Sequence, residues 1–148
     1  LDVVVNILTN LAYHKREISV FGGSQLRPNI HIKDMVEAYI KIINSDKKLI
    51  AGEIFNAGYE NQSVLELAEI VKNEIGIDVE LKVVPTDDNR SYHISSKKIK
   101  EIIGFDTKFT IKDAVIDLKD AFDRKVLIDT LENEMYFNIK RMQSLGLK

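Results

Sequence analysis

The chain has 148 residues, and 45% of them are hydrophobic, so it is long enough to bury one core and short for two. Its 21 basic and 23 acidic residues give a net charge of -2, which excludes the basic surface typical of proteins that bind nucleic acid or anionic membranes. The absence of cysteine excludes disulfides, thiol catalysis and zinc–thiolate sites.

The apolar runs are all shorter than the roughly 20 residues needed to span a bilayer, so, with no cysteine present, a cytoplasmic setting is the default expectation. The three histidines are scattered and have no clustered carboxylate partner, so no metal site is expected.

The first third of the chain alternates between predicted helix and strand. Residues 1–15 carry apolar side chains at helical spacing (Val4, Ile7, Leu8 and Leu11), and Asn6 lies on the same predicted face. Short strands are predicted at Ile18–Phe21, before Gly22-Gly23, and at Asn29–Ile32. A helix over Met35–Asn44 follows, capped by Asp34 and burying Val36, Tyr39, Ile40 and Ile43.

The same alternation continues downstream and predicts an α/β fold. We expect strands at 53–58 and 79–84, on either side of a helix over Val64–Ile75 that a Ser63/Glu66 capping box opens. Two more helices are predicted, one over Lys97–Ile103 capped by Ser95 or Ser96, and one opened by Thr110 and Asp113.

The last predicted helix covers Val126–Met142. Its stripe is formed by Leu127, Leu131, Met135 and Ile139. Such a terminal amphipathic helix usually packs on its own domain, and a homodimer contact is the alternative.

Arg27 is the residue that suggests binding chemistry, because it lies between two predicted strands. A guanidinium held at a strand end can fork two hydrogen bonds onto a phosphate or carboxylate. A solvated loop arginine is the simpler alternative. The loop at 86–90 places a second arginine, Arg90, beside Asp87 and Asp88.

Four segments then resemble one enzyme family, in that family's order. They are I-S-V-F-G-G-S-Q-L-R-P-N-I-H-I-K-D from Ile18, E-I-F-N-A-G from Glu53, S-V-L-E-L-A-E-I-V from Ser63 and R-S-Y-H-I-S-S-K-K-I-K-E-I-I-G-F from Arg90. Together they resemble the second half of the extended short-chain dehydrogenase/reductases, the NAD-dependent nucleotide-sugar epimerases and dehydratases.

The resemblance implies that this chain is the carboxy-terminal, substrate-binding lobe of a longer enzyme. The family's glycine-rich dinucleotide turn is absent, and the chain begins at Leu1 without a methionine. We therefore expect one lobe over residues 1–148: a small mixed sheet of short strands with flanking helices, and a helical extension at 124–148. NAD or NADP would be bound mainly by an amino-terminal Rossmann lobe.

No catalytic residue is expected in this chain. Tyr136 and Lys140 have the family's Tyr-x-x-x-Lys spacing, but they follow every other landmark, so we interpret the pair as coincidence. Ser95 and Lys98 form an S-x-x-K in which the serine resembles a helix cap. The chain alone is therefore expected to be inactive.

The resemblance also implies substrate-binding positions. Arg27 would contact the nucleotide diphosphate, Arg90 would be a second diphosphate arginine, and Asp88 would bond the ribose. The backbone near Ser19 and the ring of Phe21 would contact the base, although Phe21 is equally well explained as a core aromatic. Asn6 lies on the helix that in several relatives carries an asparagine touching the substrate phosphates, but the register varies, and a capping or core-hydrogen-bonded asparagine is the alternative.

Three positions depart from the family pattern. Pro28 replaces the usual aspartate after the arginine, and Asn29 replaces an aromatic that often touches substrate. Pro85 stands where many relatives place the second phosphate arginine, which puts the role of Arg90 in question.

The function implied is to clamp a nucleotide diphosphate and to orient the sugar towards the nicotinamide. Two alternatives stay open. One is a lobe of a reductase of the same superfamily with a non-nucleotide substrate, in which Arg27 would be structural. The other is a binding or assembly module without chemistry.

Overall fold

A computed structural model describes residues 1–88 and 90–147. The helices are α1 (Val4–Lys15), α2 (Ile32–Ile43), α3 (Lys47–Ile50), α4 (Val64–Ile75), α5 (Lys97–Ile103), α6 (Ile111–Asp123) and α7 (Asn138–Ser144). The strands are β1 (Glu17–Phe21), β2 (Leu26–Pro28), β3 (Asn61–Ser63) and β4 (Glu80–Val84), and a 3₁₀ turn covers Glu134–Tyr136.

The α/β class and the small sheets with flanking helices are confirmed. The strands form two separate pairs: β1 and β4 are parallel, with Glu17 opposite Glu80, whereas β2 and β3 are antiparallel. Since parallel strands need a long crossover, the chain between β1 and β4 includes α4, which packs on that sheet.

The main core lies where α1, α4 and α6 meet the β1–β4 sheet. Ile18 and Val20 alternate with Ser19 along β1 and are completely buried. They pack among Leu67, Val71 and other apolar side chains of the three helices. A smaller cluster joins Ala38 of α2 to Ile99 of α5 and to Phe105.

The two predicted capping boxes are confirmed. Ser63 Oγ accepts from Glu66 N at 3.2 Å, while Ser63 N donates to the Glu66 carboxylate at 2.7 Å. Thr110 and Asp113 repeat the arrangement at the start of α6. The predicted start residues of both helices therefore match the structure.

The segment before α2 differs from the prediction of a strand over Asn29–Ile32. The strand instead covers Leu26–Pro28, and α2 begins at Ile32 with His31 as its cap, since His31 Nδ1 accepts from Lys33 N. The cap role predicted for Asp34 is therefore wrong. Asp34 lies inside the first turn, where its carboxylate accepts from the backbone of Lys108 and Phe109.

The buried face predicted for α2 is also wrong. Val36, Tyr39, Ile40 and Ile43 are all exposed, with Ile43 at 77%. No helix or strand of the described residues covers them. The prediction failed because periodicity reveals an apolar face but not the surface that would cover it. The strand predicted at 53–58 does not form either, because no described segment pairs with these residues in a sheet.

Helix α1 is where predicted, but it is rotated. Val5, Leu8 and Ala12 face the core, whereas Ile7 is 40% exposed. Its buried polar side chains are Thr9 and Asn10, and Asn10 Nδ2 donates to Thr130 O at 3.1 Å.

The continuous helix predicted over Val126–Met142 is wrong. Asp129 has a left-handed φ of 54°, and Asn133 then caps the 3₁₀ turn, so only the short helix α7 forms. Buried Thr130 fixes this irregular stretch to α1 by donating to Asn10 Oδ1. The final residue of the predicted extension, Lys148, lies outside the described residues.

Candidate anion-binding site

Arg27 lies at the centre of β2, where it pairs with Gln62 of β3, rather than at a strand end. Its Nη1 donates to Leu26 O at 3.0 Å and to Arg90 O at 2.6 Å. The guanidinium carbon lies 5.5 Å from the centre of the Tyr92 ring. The side chain is 19% exposed. These contacts fix the guanidinium plane, and Nε and Nη2 have no hydrogen-bond acceptor among the described residues.

Arg90 and Asp88 lie beside Arg27. Arg90 Nε and Nη2 donate to the two carboxylate oxygens of Asp88 at 2.7 and 2.8 Å, a bidentate fork. Arg27 Nη2 is 3.8 Å from Asp88 Oδ2. The Arg90 hydrogen bonds, with the Arg90 and Arg27 charges, hold the pKa of Asp88 far below its usual range. A single carboxylate thus lies between two guanidinium groups.

Gln25 connects this loop to the end of β1, a role that the sequence analysis did not assign. Its Nε2 donates to Phe21 O and to Asp88 O, each at 3.1 Å, and its Oε1 accepts from Gly23 N at 2.7 Å. The signal was available, because Gln25 stands two residues before Arg27 in the first matching segment. Gln25 therefore ties the end of β1 at Phe21 to the loop that carries Asp88.

The predicted base-binding residues lie on β1. Phe21 ends the strand and is 58% exposed, so the core-aromatic alternative is wrong. Ser19 is half-buried and faces away from the core, since its neighbours Ile18 and Val20 are buried on the opposite side. Phe21 is connected to the arginine loop through Gln25, whose Nε2 donates to both Phe21 O and Asp88 O.

Asn6 lies in a different place. It lines a cleft of about 480 Å³ between α1, α2 and α6, together with Asn29, His31 and Asp117. Arg27, Arg90 and Asp88 do not line this cleft. Asn29 is the connection, because its Nδ2 donates to Arg27 O at 2.8 Å. The structure thus brings Arg27, Arg90 and Asp88 together but does not bring Asn6 to them.

The described residues contain no group of three or more side chains arranged to hold a metal ion. None of the helices described is both long and apolar enough to cross a membrane. Tyr136 and Lys140 do not share a helix: Tyr136 lies in the 3₁₀ turn and Lys140 in α7, with its amino group 4.4 Å from the centre of the Phe137 ring.

A dinucleotide site of the glycine-turn type does not fit these residues. Gly22 and Gly23 do have positive φ after β1, but the chain continues into β2 rather than into a helix whose amino end could receive a pyrophosphate.

Known proteins support the motif-based interpretation. The model of the NAD dependent epimerase/dehydratase family matches residues 2–58. UDP-glucuronic acid decarboxylase 6 of Arabidopsis thaliana is 32% identical over 103 residues, 68% of this chain and 29% of the relative. CDP-paratose 2-epimerase of Salmonella typhi is 30% identical over 104 residues, 67% of this chain and 30% of the relative.

A solved structure shares the fold. UDP-glucose 4-epimerase of Thermotoga maritima, determined with UDP-glucose, is 24% identical and superposes with a TM-score of 0.71. The superposition covers 84% of this chain and 40% of that one. This chain thus spans about 30% of the length of the curated relatives it matches. On its ordered motifs, its matching family model and its sequence relatives, the chain belongs to the NAD-dependent epimerase/dehydratase family.

Proposed function

We propose that this chain binds the diphosphate of a nucleotide sugar and orients the sugar towards a nicotinamide cofactor held by another part of the enzyme. The observation that carries the proposal is Arg27: its plane is fixed, two of its nitrogens have no described acceptor, and a second guanidinium lies beside it. A planar guanidinium in that state suits a bidentate phosphate contact.

The other predicted residues have distinct proposed roles. Arg90 would add a second positive charge at the diphosphate, and exposed Phe21 at the end of β1 would contact the base beside the Ser19 backbone. Asn6 would reach substrate only through the neighbouring cleft, so its effect on binding is expected to be smaller than that of Arg27.

These contacts would act on chemistry at a distance. Binding energy from the non-reacting nucleotide would position the sugar carbon, which lowers the entropic cost of reaching the transition state. The nicotinamide would supply the hydride exchange. The described residues provide no glycine-turn site for that cofactor, which supports a division of work between two lobes.

The exposed stripe on α2 supports the same division. Ile32, Val36, Tyr39, Ile40 and Ile43 form an exposed apolar face on one helix. An uncovered apolar helix face is what an α/β layer offers to a neighbouring sheet. In the proposal, this face packs on the dinucleotide-binding lobe that the longer relatives have room to contain.

Calorimetric titration of the protein with UDP-, dTDP-, GDP- and CDP-sugars tests the binding function. We expect one of them to bind, and Arg27→Ala to weaken that binding by about 1.5–3 kcal/mol, the range for a charged hydrogen bond. Arg124→Ala is the matched control, since Arg124 is exposed and, among the described residues, forms an ion pair only with Asp120 one helical turn away. No binding of any sugar nucleotide, or unchanged binding by Arg27→Ala, would contradict the proposal.

One observation favours the alternative of a non-nucleotide substrate. Arg27 Nη1 donates to two backbone carbonyls, which is also what a purely structural arginine does. In that case Arg27→Ala would lower the free energy of unfolding in urea and leave all nucleotide titrations flat.

A further inference from the structure

The arginine pair already holds an anion that belongs to the protein. Asp88 fills the fork of Arg90 with both carboxylate oxygens and also accepts from Arg90 N at 3.1 Å. Asp88 Oδ2 also lies 3.8 Å from Arg27 Nη2. The loop holds it there, because Asp88 N donates to Thr86 Oγ1 and Asp88 O accepts from buried Gln25.

We propose that Asp88 is a resident anion that competes with the ligand's phosphate for the two arginines, and so sets the affinity of the site. This inference rests on the proposed diphosphate binding at Arg27. It assigns Asp88 a role opposite to that of a ribose acceptor, since here the carboxylate opposes binding rather than adding a contact.

The geometry of Arg90 supports competition. A guanidinium offers its Nε–Nη2 edge to one bidentate acceptor at a time, and Asp88 uses that edge. A phosphate can reach the same edge only after Asp88 leaves it.

Charge acts in the same direction at Arg27. A phosphate placed on the unbonded nitrogens of Arg27 would lie close to the Asp88 carboxylate, and two negative charges at such a distance repel. Asp88 therefore lowers the affinity of both arginines for an anionic ligand.

Asp88→Asn tests the inference, because the amide keeps the shape of the side chain and removes its charge. The matched control is Asp87→Asn. It removes the same charge from the neighbouring residue, whose side chain is exposed. Both variants and the wild type would be titrated with inorganic pyrophosphate and with UDP, after circular dichroism has verified that all three are folded.

We expect Asp88→Asn to bind pyrophosphate about three- to tenfold more tightly than Asp87→Asn, as the loss of one nearby repelling charge implies. The gain should shrink as salt is raised from 50 to 500 mM, because added ions screen the exposed charges. Equal or weaker pyrophosphate binding by Asp88→Asn would overturn the inference, as would undetectable binding by both variants. Weaker binding of UDP alone would do so as well, by restoring the ribose role.

The inference and the proposed function can fail separately. If Asp88→Asn gains affinity for pyrophosphate but UDP binds no more tightly than pyrophosphate, the resident anion stands and the nucleotide function falls. If UDP binds and Arg27→Ala abolishes this binding while Asp88→Asn matches its control, the nucleotide function stands and the resident anion falls.

Discussion

Asp34 of α2 is buried, with 1% of its surface exposed, and both of its carboxylate oxygens accept hydrogen bonds. Lys108 N donates to both of them, at 3.0 and 3.1 Å, and Phe109 N donates to Oδ2 at 2.9 Å. Burying a charge is costly unless such hydrogen bonds replace water. Asp34 therefore joins the start of α2 to the segment that leads into α6.

Replacing Asp34 by alanine should lower the free energy of unfolding by about 1.5–3 kcal/mol, because the backbone donors would be left without their charged acceptor. Urea unfolding at pH 7, followed by circular dichroism, measures this. The control is Asp87→Ala, an exposed aspartate for which we expect a change of less than about 0.5 kcal/mol. If the Asp34→Ala variant were as stable as this control, Asp34 would not stabilise the contact between α2 and the segment that leads into α6.

Helix α2 has two faces with very different environments. Its inner face contributes Ala38 to the small core around Ile99, whereas its outer face leaves Ile43 at 77% exposure. Apolar side chains thus occur on both sides, although only one side is packed in this chain. The outer face contributes little to the stability of the isolated chain.

Two isoleucines test that difference. Ile43→Ser should change the free energy of unfolding by less than about 0.5 kcal/mol. Ile99→Ala should lower it by about 2–5 kcal/mol, because Ile99 is completely buried and its truncation leaves a cavity. Urea unfolding of the two variants measures both values. A cost of 2 kcal/mol or more for Ile43→Ser would show that the outer face of α2 is packed in the isolated chain.

Over the whole molecule, many exposed or half-buried carboxylates have a lowered pKa. In each, hydrogen bonds to the charged form are the largest cause: Arg16 for Asp78, Lys100 for Asp106, Tyr13 for Asp123, Arg141 for Glu134, and the capping serine or threonine for Glu66 and Asp113. With Asp88, these groups bind protons less readily in the folded chain than in the unfolded chain.

The sign of the pH dependence follows. A carboxylate whose pKa is lowered by folding stabilises the fold above its unfolded pKa, about 4 for Asp and Glu, and that contribution is lost as the pH falls through the folded value. We expect the free energy of unfolding in urea to be level between pH 7 and 5 and to fall at pH 3.5. Added salt should reduce the fall, since the pairs are exposed. A stability that rises at pH 3.5 would contradict this.

Local signals in the sequence were sufficient for elements whose ends are determined by neighbouring residues. Ser63 with Glu66 and Thr110 with Asp113 predicted the starts of α4 and α6, because each box is complete within four residues. The ordered segments also predicted that Arg27 and Arg90 belong to one site. Both arginines do meet, through the Arg90 carbonyl.

What the sequence could not supply depended on distant contacts. The Asp34 carboxylate resembles a cap until Lys108 and Phe109 are seen to be its donors, 74 and 75 positions away. The outer face of α2 has the same periodicity whether or not a partner covers it. The Asp88–Arg90 fork depends on a loop conformation to which propensity gives no guide.

The contact between Gln25 and Asp88 joins residues 63 positions apart. Pairing of β1 with β4 brings these two residues together, and it encloses the intervening chain, including α4, in a long loop. Closure of so long a loop carries an entropic cost before any contact repays it, and it slows folding. We therefore expect the contact between Gln25 and Asp88 to form late as the chain folds.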